Sequence, residues 1–246
     1  MTAPVFVVEH FDAGGGGRYV LDGPEGRHAV SVKRLRAGED VVLTDGAGRW
    51  ADCVVLGTEG KDRLILQLDS VSEEPAEQPR VTVVQALPKG DRGELAVETM
   101  TEVGVDAIVP WAAARCITQW KGDRGVKALG KWRATGREAG KQSRRVRFPE
   151  VAEAATTKQV AALLAGAEFA AVLHESGDEP LATAELPSTG DIVLVVGPEG
   201  GVAPEELALF EEAGARAYRL GRSVLRTSTA GTAAAAVLLA RTGRWS

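Results

Sequence analysis

Cysteine is scarce in this chain of 246 residues: Cys53 and Cys116 are the only two, and neither sits in a Cys-x-x-Cys pair or a Cys/His spacing. That excludes a disulfide framework and a zinc site, and both are expected to be reduced packing residues. No apolar run approaches the roughly 20 residues of a membrane span. The first residues lack the basic start and apolar core of a signal peptide. Neither metal nor membrane is therefore expected, and the cytoplasm is the expected compartment. Gly-x-Gly-x-x-Gly and Gly-Lys-Ser/Thr are also missing, which disfavours the two common phosphate-cradling loops.

What is present is a globular composition, 44% hydrophobic and 26% charged, enough for one large domain or two ordinary ones. The net charge of −5 conceals an asymmetry. Residues 115–147 hold eleven Lys/Arg against Asp123 and Glu138, a local +9, so the rest of the chain carries −14. A basic block on an acidic protein points to a polyanionic partner, although a solvated helix face would read the same way.

Residues 1–72 read as a small β-rich module. Strands are expected at 5–8, 40–45, 49–56 and 64–68, a loop at the glycine run 14–17, and a short helix over 25–36. The alternation Trp50, Asp52, Val54 against Ala51, Cys53, Val55 marks a half-buried hairpin arm. Residues 73–79, acidic and proline-containing, form the expected linker. From 80 to 246, β-like and helical stretches alternate: strands at 81–87, 107–109, 169–173, 192–196 and 217–220, and helices at 92–104, 126–142 and 203–213 with one more at the C-terminus. This is the pattern of an α/β domain with a mostly parallel sheet.

Two turns stand out, each leaving an apolar strand and opening a helix. The first is Gly197-Pro198-Glu199-Gly200-Gly201. The second is Leu220-Gly221-Arg222-Ser223-Val224-Leu225-Arg226, followed by Thr227-Ser228-Thr229-Ala230. Glycine lets a ligand approach the main chain and proline stiffens the turn. The pair suggests one cleft at the carboxyl ends of the strands. Arg222 and Arg226 suit an anion or carbonyl, or a neighbouring acid. The small residues at 230–236 fit either a buried helix or a subunit interface. His174 is equally readable as pocket rim or structural polar group. In the basic helix, Arg133, Arg137 and Lys141 follow i, i+4, i+8 along one flank, while Leu129, Trp132 and Ala139 share a face. Gln142, Arg144 and Arg145 end it with groups able to reach RNA. Arg27, His28, Lys33, Arg34 and Arg36 give the first module its own cationic cluster.

These residues together resemble the 16S rRNA uridine-N3 methyltransferase family, within the SPOUT superfamily of knotted S-adenosylmethionine enzymes. The resemblance spans essentially the whole chain. It is carried by Lys89-Gly90-Asp91-Arg92, Thr101-Glu102-Val103-Gly104-Val105, Glu138-Ala139 with Gln142-Ser143 and Arg145, Phe148-Pro149-Glu150-Val151, and above all the two turns. It implies a PUA-like, RNA-binding β-barrel over 1–72 and a SPOUT methyltransferase domain with a C-terminal trefoil knot over 80–246. It also implies a homodimer and, as cofactor, S-adenosyl-L-methionine. The implied cofactor residues are Leu173, His174, Glu175, Gly197, Pro198, Glu199, Gly200, Gly201, Leu220, Gly221, Arg222, Val224, Leu225 and Arg226. The implied substrate is a uridine in the decoding region of 16S rRNA in the small ribosomal subunit, with Arg27, His28, Arg34, Arg133, Arg137, Lys141, Gln142, Arg144 and Arg145 as RNA contacts. Methylating uracil N3 requires removal of an imide proton; Arg226 is the expected stabiliser of the resulting anion and Glu199 the candidate proton acceptor. Where the family commonly carries glutamate, this chain has Ser228, so a carboxylate there is not an obligatory base. Competing readings are a SPOUT enzyme acting on a ribose 2′-hydroxyl or on tRNA, and a non-catalytic RNA-binding assembly factor.

Overall fold

The computed structural model describes residues 3–11 and 17–246; the expected loop at 14–16 lies outside them, and Gly17 opens a strand. The chain divides into two compact units, Met1–Ala76 with Gly140–Phe148, and Glu77–Ala139 with Pro149–Ser246.

The first unit contains β1 (Val5–Val7), β2 (Gly17–Leu21), α1 (Gly23–Arg27), β3 (Asp40–Thr44), β4 (Arg49–Glu59), β5 (Arg63–Leu68) and β6 (Ser72–Glu73). Its sheet runs β1-β3-β4-β5-β2 with β6 also on β4. The β1–β3 pair is parallel and the others antiparallel. Along β4, Ala51, Cys53 and Val55 are buried and Asp52 and Val54 exposed, the period of two expected of a sheet with one wet face. The inner side chains pack with Phe6, Leu43, Leu64 and Leu66.

Three expectations need correction here. The helix expected over 25–36 starts earlier and ends sooner: α1 passes into a single π-helical turn, His28–Val32, and Arg34 at φ 57° closes it. Gly26 decides the position, because a Cβ there would lie 2.2 Å from the carbonyl oxygen of Asp62. Residues 140–148, assigned by sequence to the second domain, belong to the first unit. Phe148 N–H donates to Gly46 O at 2.8 Å and Gly48 N–H to Val146 O at 3.1 Å, so the segment is bonded onto the β3–β4 turn. Glu73, expected in the linker, instead extends the first module, forming β6 with Ser72 against β4.

The second unit holds β7 (Arg80–Ala86), α2 (Arg92–Val103), β8 (Ala107–Trp111), α3 (Gly122–Gln142, its last three residues counted with the first unit), β9 (Glu150–Val151), α4 (Thr157–Ala165), β10 (Phe169–Leu173), β11 (Glu179–Pro180), β12 (Asp191–Val196), α5 (Pro204–Glu212), β13 (Arg216–Arg219) and α6 (Thr227–Arg241). Every strand pairing is parallel, in the order β11-β13-β10-β12-β7-β8-β9. β7 and β12 lie side by side in the middle and are buried on both faces, which is why they read as unbroken apolar runs. α2 stops at Gly104, whose φ of 108° suits glycine. α4 starts at a capping box in which Thr156 and Gln159 satisfy each other's backbone N–H. β9 and β11 are too short for periodicity to reveal. Among the described residues no helix is long and apolar enough to cross a membrane.

Candidate active site

β10, β12 and β13 lie together in the sheet, and all three end at one cleft of about 600 Å³. Its floor and walls come mainly from residues 173–175 at the end of β10, 196–202 at the end of β12, and 218–227 at the end of β13. Chain order jumps here: β12 connects through α5 to β13, which sits on the far side of β10. Such a crossing leaves a crevice outside the carboxyl ends of the strands, the usual ligand position in open α/β sheets. The volume lies within the roughly 300–1,000 Å³ of small-molecule sites.

Every residue expected from sequence to hold the cofactor lines this cleft. Its backbone is shaped by glycine: Gly201 and Gly221 have φ of 74° and 129°, and a Cβ on Gly197 would meet Val202 at 2.8 Å. His174 donates its backbone N–H to Tyr218 O at 3.0 Å, which ties the first loop to the third. Its Nδ1 accepts the Ser176 N–H at 3.2 Å, so in the neutral ring Nε2 carries the proton.

Arg226 is the N-cap residue of α6, exposed, and without an ionic or hydrogen-bonding side-chain partner among the described residues. Arg222 is likewise exposed and unpartnered among them. Glu199 is partly engaged. Its Oε1 accepts the Lys89 N–H at 3.2 Å and lies 3.9 Å from an Arg92 nitrogen. Ser228 is buried in the first turn of α6.

The supporting shell centres on Glu206, which is 6% exposed. Its Oε1 accepts from Ala114 N–H at 2.8 Å and from the Thr157 hydroxyl at 2.9 Å, and its Oε2 from Ala203 N–H at 3.2 Å. One carboxylate thus joins the segment after β8, the start of α4 and the start of α5. Its charge at the first turn of α5 also complements the helix dipole. The Ala114 bond sets the adjacent Arg115, whose NH1 donates to Gly200 O at 3.1 Å. Trp111 packs edge-on against Phe210 of α5 with centroids 5.3 Å apart, an arrangement worth about 0.5–1.5 kcal/mol beyond area burial.

Sequence reasoning did not pick out Arg115 and Tyr218 as cleft residues, nor Glu206 as their support. Arg92 and Arg115 follow β7 and β8 at the same end of the sheet as the glycine turns, so strand order was the signal that would have found them.

The expected RNA contacts separate. In the first unit Arg27, Arg34, Gln142 and Arg144 are exposed, Arg145 is half-buried, and His28 packs edge-on against Phe6 at 6.0 Å. Lys141 is not a surface cation: it is buried, and its Nζ lies 2.9 Å from Glu25 Oε1. The helical repeat that aligned it with Arg133 and Arg137 carries its last member inward, where a carboxylate compensates the charge. In the second unit Arg137 is exposed. Arg133 is tied down, its Nε donating to Val151 O at 3.0 Å and its NH2 to Glu153 at 2.9 Å.

Residues 75–239 match the family model described as an RNA methyltransferase domain, and residues 21–69 that of an RNA methyltransferase PUA domain. The chain is 47% identical to the ribosomal RNA small subunit methyltransferase E of Mycobacterium tuberculosis (strain CDC 1551 / Oshkosh), covering 92% of this chain and 87% of that protein. The chain belongs to this RNA methyltransferase family. The family member of the same designation from Bacillus subtilis (strain 168) is 27% identical, with 86% of each chain covered. Among solved structures, the ribosomal RNA small subunit methyltransferase E of Neisseria gonorrhoeae, bound to S-adenosyl methionine, has a TM-score of 0.84 at 27% identity and 98% coverage of both chains. A protein from Legionella pneumophila solved in complex with the same cofactor has a TM-score of 0.83 at 27% identity and equal coverage. All three cleft loops fall inside the methyltransferase match, and the PUA match falls inside the first unit.

Proposed function

We propose that this protein methylates N3 of a uridine in the decoding region of 16S rRNA, using S-adenosyl-L-methionine. The observation that carries the reading is the convergence of both glycine turns on one cleft. The residues present suit this cofactor. Leu173, Val196, Leu220 and Leu225 offer apolar surface for a purine, and the glycine turns bring polar main chain close. Glu175 and Glu199 are carboxylates on the lining of a site meant for a sulfonium cation. Bound there, S-adenosylmethionine supplies an electrophilic methyl group.

The chain's own residues orient the uracil and handle its proton. Arg226, free of internal partners and set at the positive end of α6, stabilises the charge that develops on the uracil carbonyls as N3 loses its proton. Glu199 holds the Lys89 backbone with Oε1, leaving Oε2 without a partner among the described residues, and that oxygen takes the proton. The α6 helix packs on α2 and β7 although β13 lies beyond β10, so residues 220–226 cross back over the sheet's end; this supports the trefoil knot that the resemblance implies. The PUA match supports a PUA-like barrel in the first unit. Leu95 on α2 and half-buried Ala233, Ala236 and Val237 on α6 offer apolar surface to a second subunit of a homodimer.

The test incubates the purified protein with small subunits from a strain lacking the modification and maps the product nucleoside by mass spectrometry. The expected product is 3-methyluridine. Arg226→Ala should lower single-turnover methylation by about 10²–10³-fold, the scale of one lost electrostatic stabiliser, and Glu199→Gln should slow it even at saturating cofactor. A methyl group on a ribose, or wild-type rates in both variants, overturns the assignment.

A further inference from the structure

The cleft has a cationic neighbour that the cofactor does not need. β7 and β8 end in residues 87–91 and 112–121, and these two segments are fixed to each other and to the first glycine turn. Thr118 Oγ1 donates to Pro88 O at 2.8 Å, Lys89 N–H reaches Glu199 at 3.2 Å, and Arg115 reaches Gly200 O at 3.1 Å. The two segments and the residues that follow them carry Lys89, Arg92, Arg115, Lys121 and Arg124 against Asp91 and Asp123, with Glu199 of the glycine turn 3.9 Å from Arg92. Arg92 and Arg115 line the cleft itself. Lys89, Lys121 and Arg124 are exposed, and among the described residues none of the three has a carboxylate within 4.0 Å.

The outer face of α3 is different. Lys131 pairs with Glu94 at 2.8 Å and Arg133 with Glu153 at 2.9 Å, so much of its charge is already met within the unit. Lys127 on α3 and Lys158 on α4 stay exposed and unpaired among the described residues, but each stands alone, whereas Lys89, Lys121 and Arg124 belong to segments tied to the cleft. Phosphate contacts fix the position and register of a nucleic acid, and a charged ridge whose backbone is held by hydrogen bonds supplies them at a defined distance from the reacting base.

From this we infer that the ridge formed by residues 87–92 and 115–124 binds the phosphates of the single-stranded RNA flanking the target nucleotide. Arg92 and Arg115 hold the nucleotide's own phosphates, and Lys89, Lys121 and Arg124 the strand beyond. The inference rests on the methyltransferase reading and names the path by which its substrate enters.

The test uses the full-length protein and a fluorescein-labelled RNA oligonucleotide of decoding-region sequence, with affinity followed by anisotropy between 50 and 200 mM KCl, the range over which phosphate contacts register most strongly. The triple variant Lys89→Ala/Lys121→Ala/Arg124→Ala should weaken binding about tenfold or more at low salt. It should reduce the slope of log affinity against log salt by about 2, at about 0.7 per phosphate contact on a single strand. Cofactor affinity by calorimetry and the melting temperature should match wild type. Lys158→Ala, which removes an exposed cation from α4, should leave the slope unchanged. A triple variant with wild-type slope and affinity overturns the ridge, as does a Lys158→Ala effect equal to that of each ridge lysine. Failure of the wild-type protein to bind S-adenosylmethionine would instead overturn the methyltransferase reading, which the RNA slopes do not touch.

Discussion

Replacing Glu206 by alanine removes a single acceptor on which three segments depend. Two of its bonds, to Ala114 N–H at 2.8 Å and to the Thr157 hydroxyl at 2.9 Å, are short, and the third, to Ala203 N–H, is longer at 3.2 Å. Hydrogen bonds to a charged group contribute about 1.5–3 kcal/mol each. Against that stands relief of the cost of burying a carboxylate, and the Thr157 hydroxyl can rotate to another acceptor. The expected net loss is about 2–4 kcal/mol. For a domain of this size, 1 kcal/mol corresponds to about 2–4 °C, so the melting temperature should fall by roughly 4–16 °C. Because the Ala114 bond also sets Arg115 over Gly200, cofactor affinity should weaken in the same variant. Glu206→Gln keeps the shape and one acceptor oxygen, but must turn its NH2 toward one of the donors. It should lie between wild type and alanine in both measurements. Urea unfolding and calorimetric titration with S-adenosylmethionine read the two effects separately. An alanine variant that melts within about 2 °C of wild type and keeps full cofactor affinity would refute the claim that this carboxylate organises the cleft.

Gly93→Ala should be destabilising although it replaces glycine within a helix. A Cβ there would lie 2.6 Å from the Trp132 indole, and an overpacking cost of about 1–3 kcal/mol outweighs the gain of up to about 1 kcal/mol in helix propensity; a higher urea midpoint than wild type would contradict this packing. The two cysteines should resist modification in the native protein. Burial pushes the Cys53 thiol up to about 12 and raises Cys116 as well, so a thiol reagent at pH 8 should find none until denaturant exposes both. A raised thiol favours the folded state below the unfolded value of about 8.5 and loses that contribution as pH climbs toward the folded one, so the urea midpoint should decline from about pH 9 upward.

Much of this molecule was legible in its sequence because the deciding interactions are local. The apolar runs of β7 and β12, the alternation of β4 and the glycine after α2 each express a backbone preference or a burial period within a few residues. The two glycine turns could be recognised for the same reason, since the main-chain freedom they need is written where it is used. What the sequence could not express is which distant segments meet. Lys141 continues the periodicity of an exposed flank, yet its charge is answered by Glu25, 116 positions away. Residues 140–148 read as part of the second domain, yet their backbone bonds to the turn of a hairpin around residue 46. Glu206 looks like one more acid at a helix start. Only strand order, which sets the ends of β8 and β12 at the same edge of the sheet, brings Ala114 within its reach and Arg115 onto Gly200. Composition, elements and loop chemistry follow from neighbouring residues; the cleft, its support and its cationic flank follow from the crossing of the chain, because a hydrogen bond or an ion pair depends on separation in space and not along the sequence.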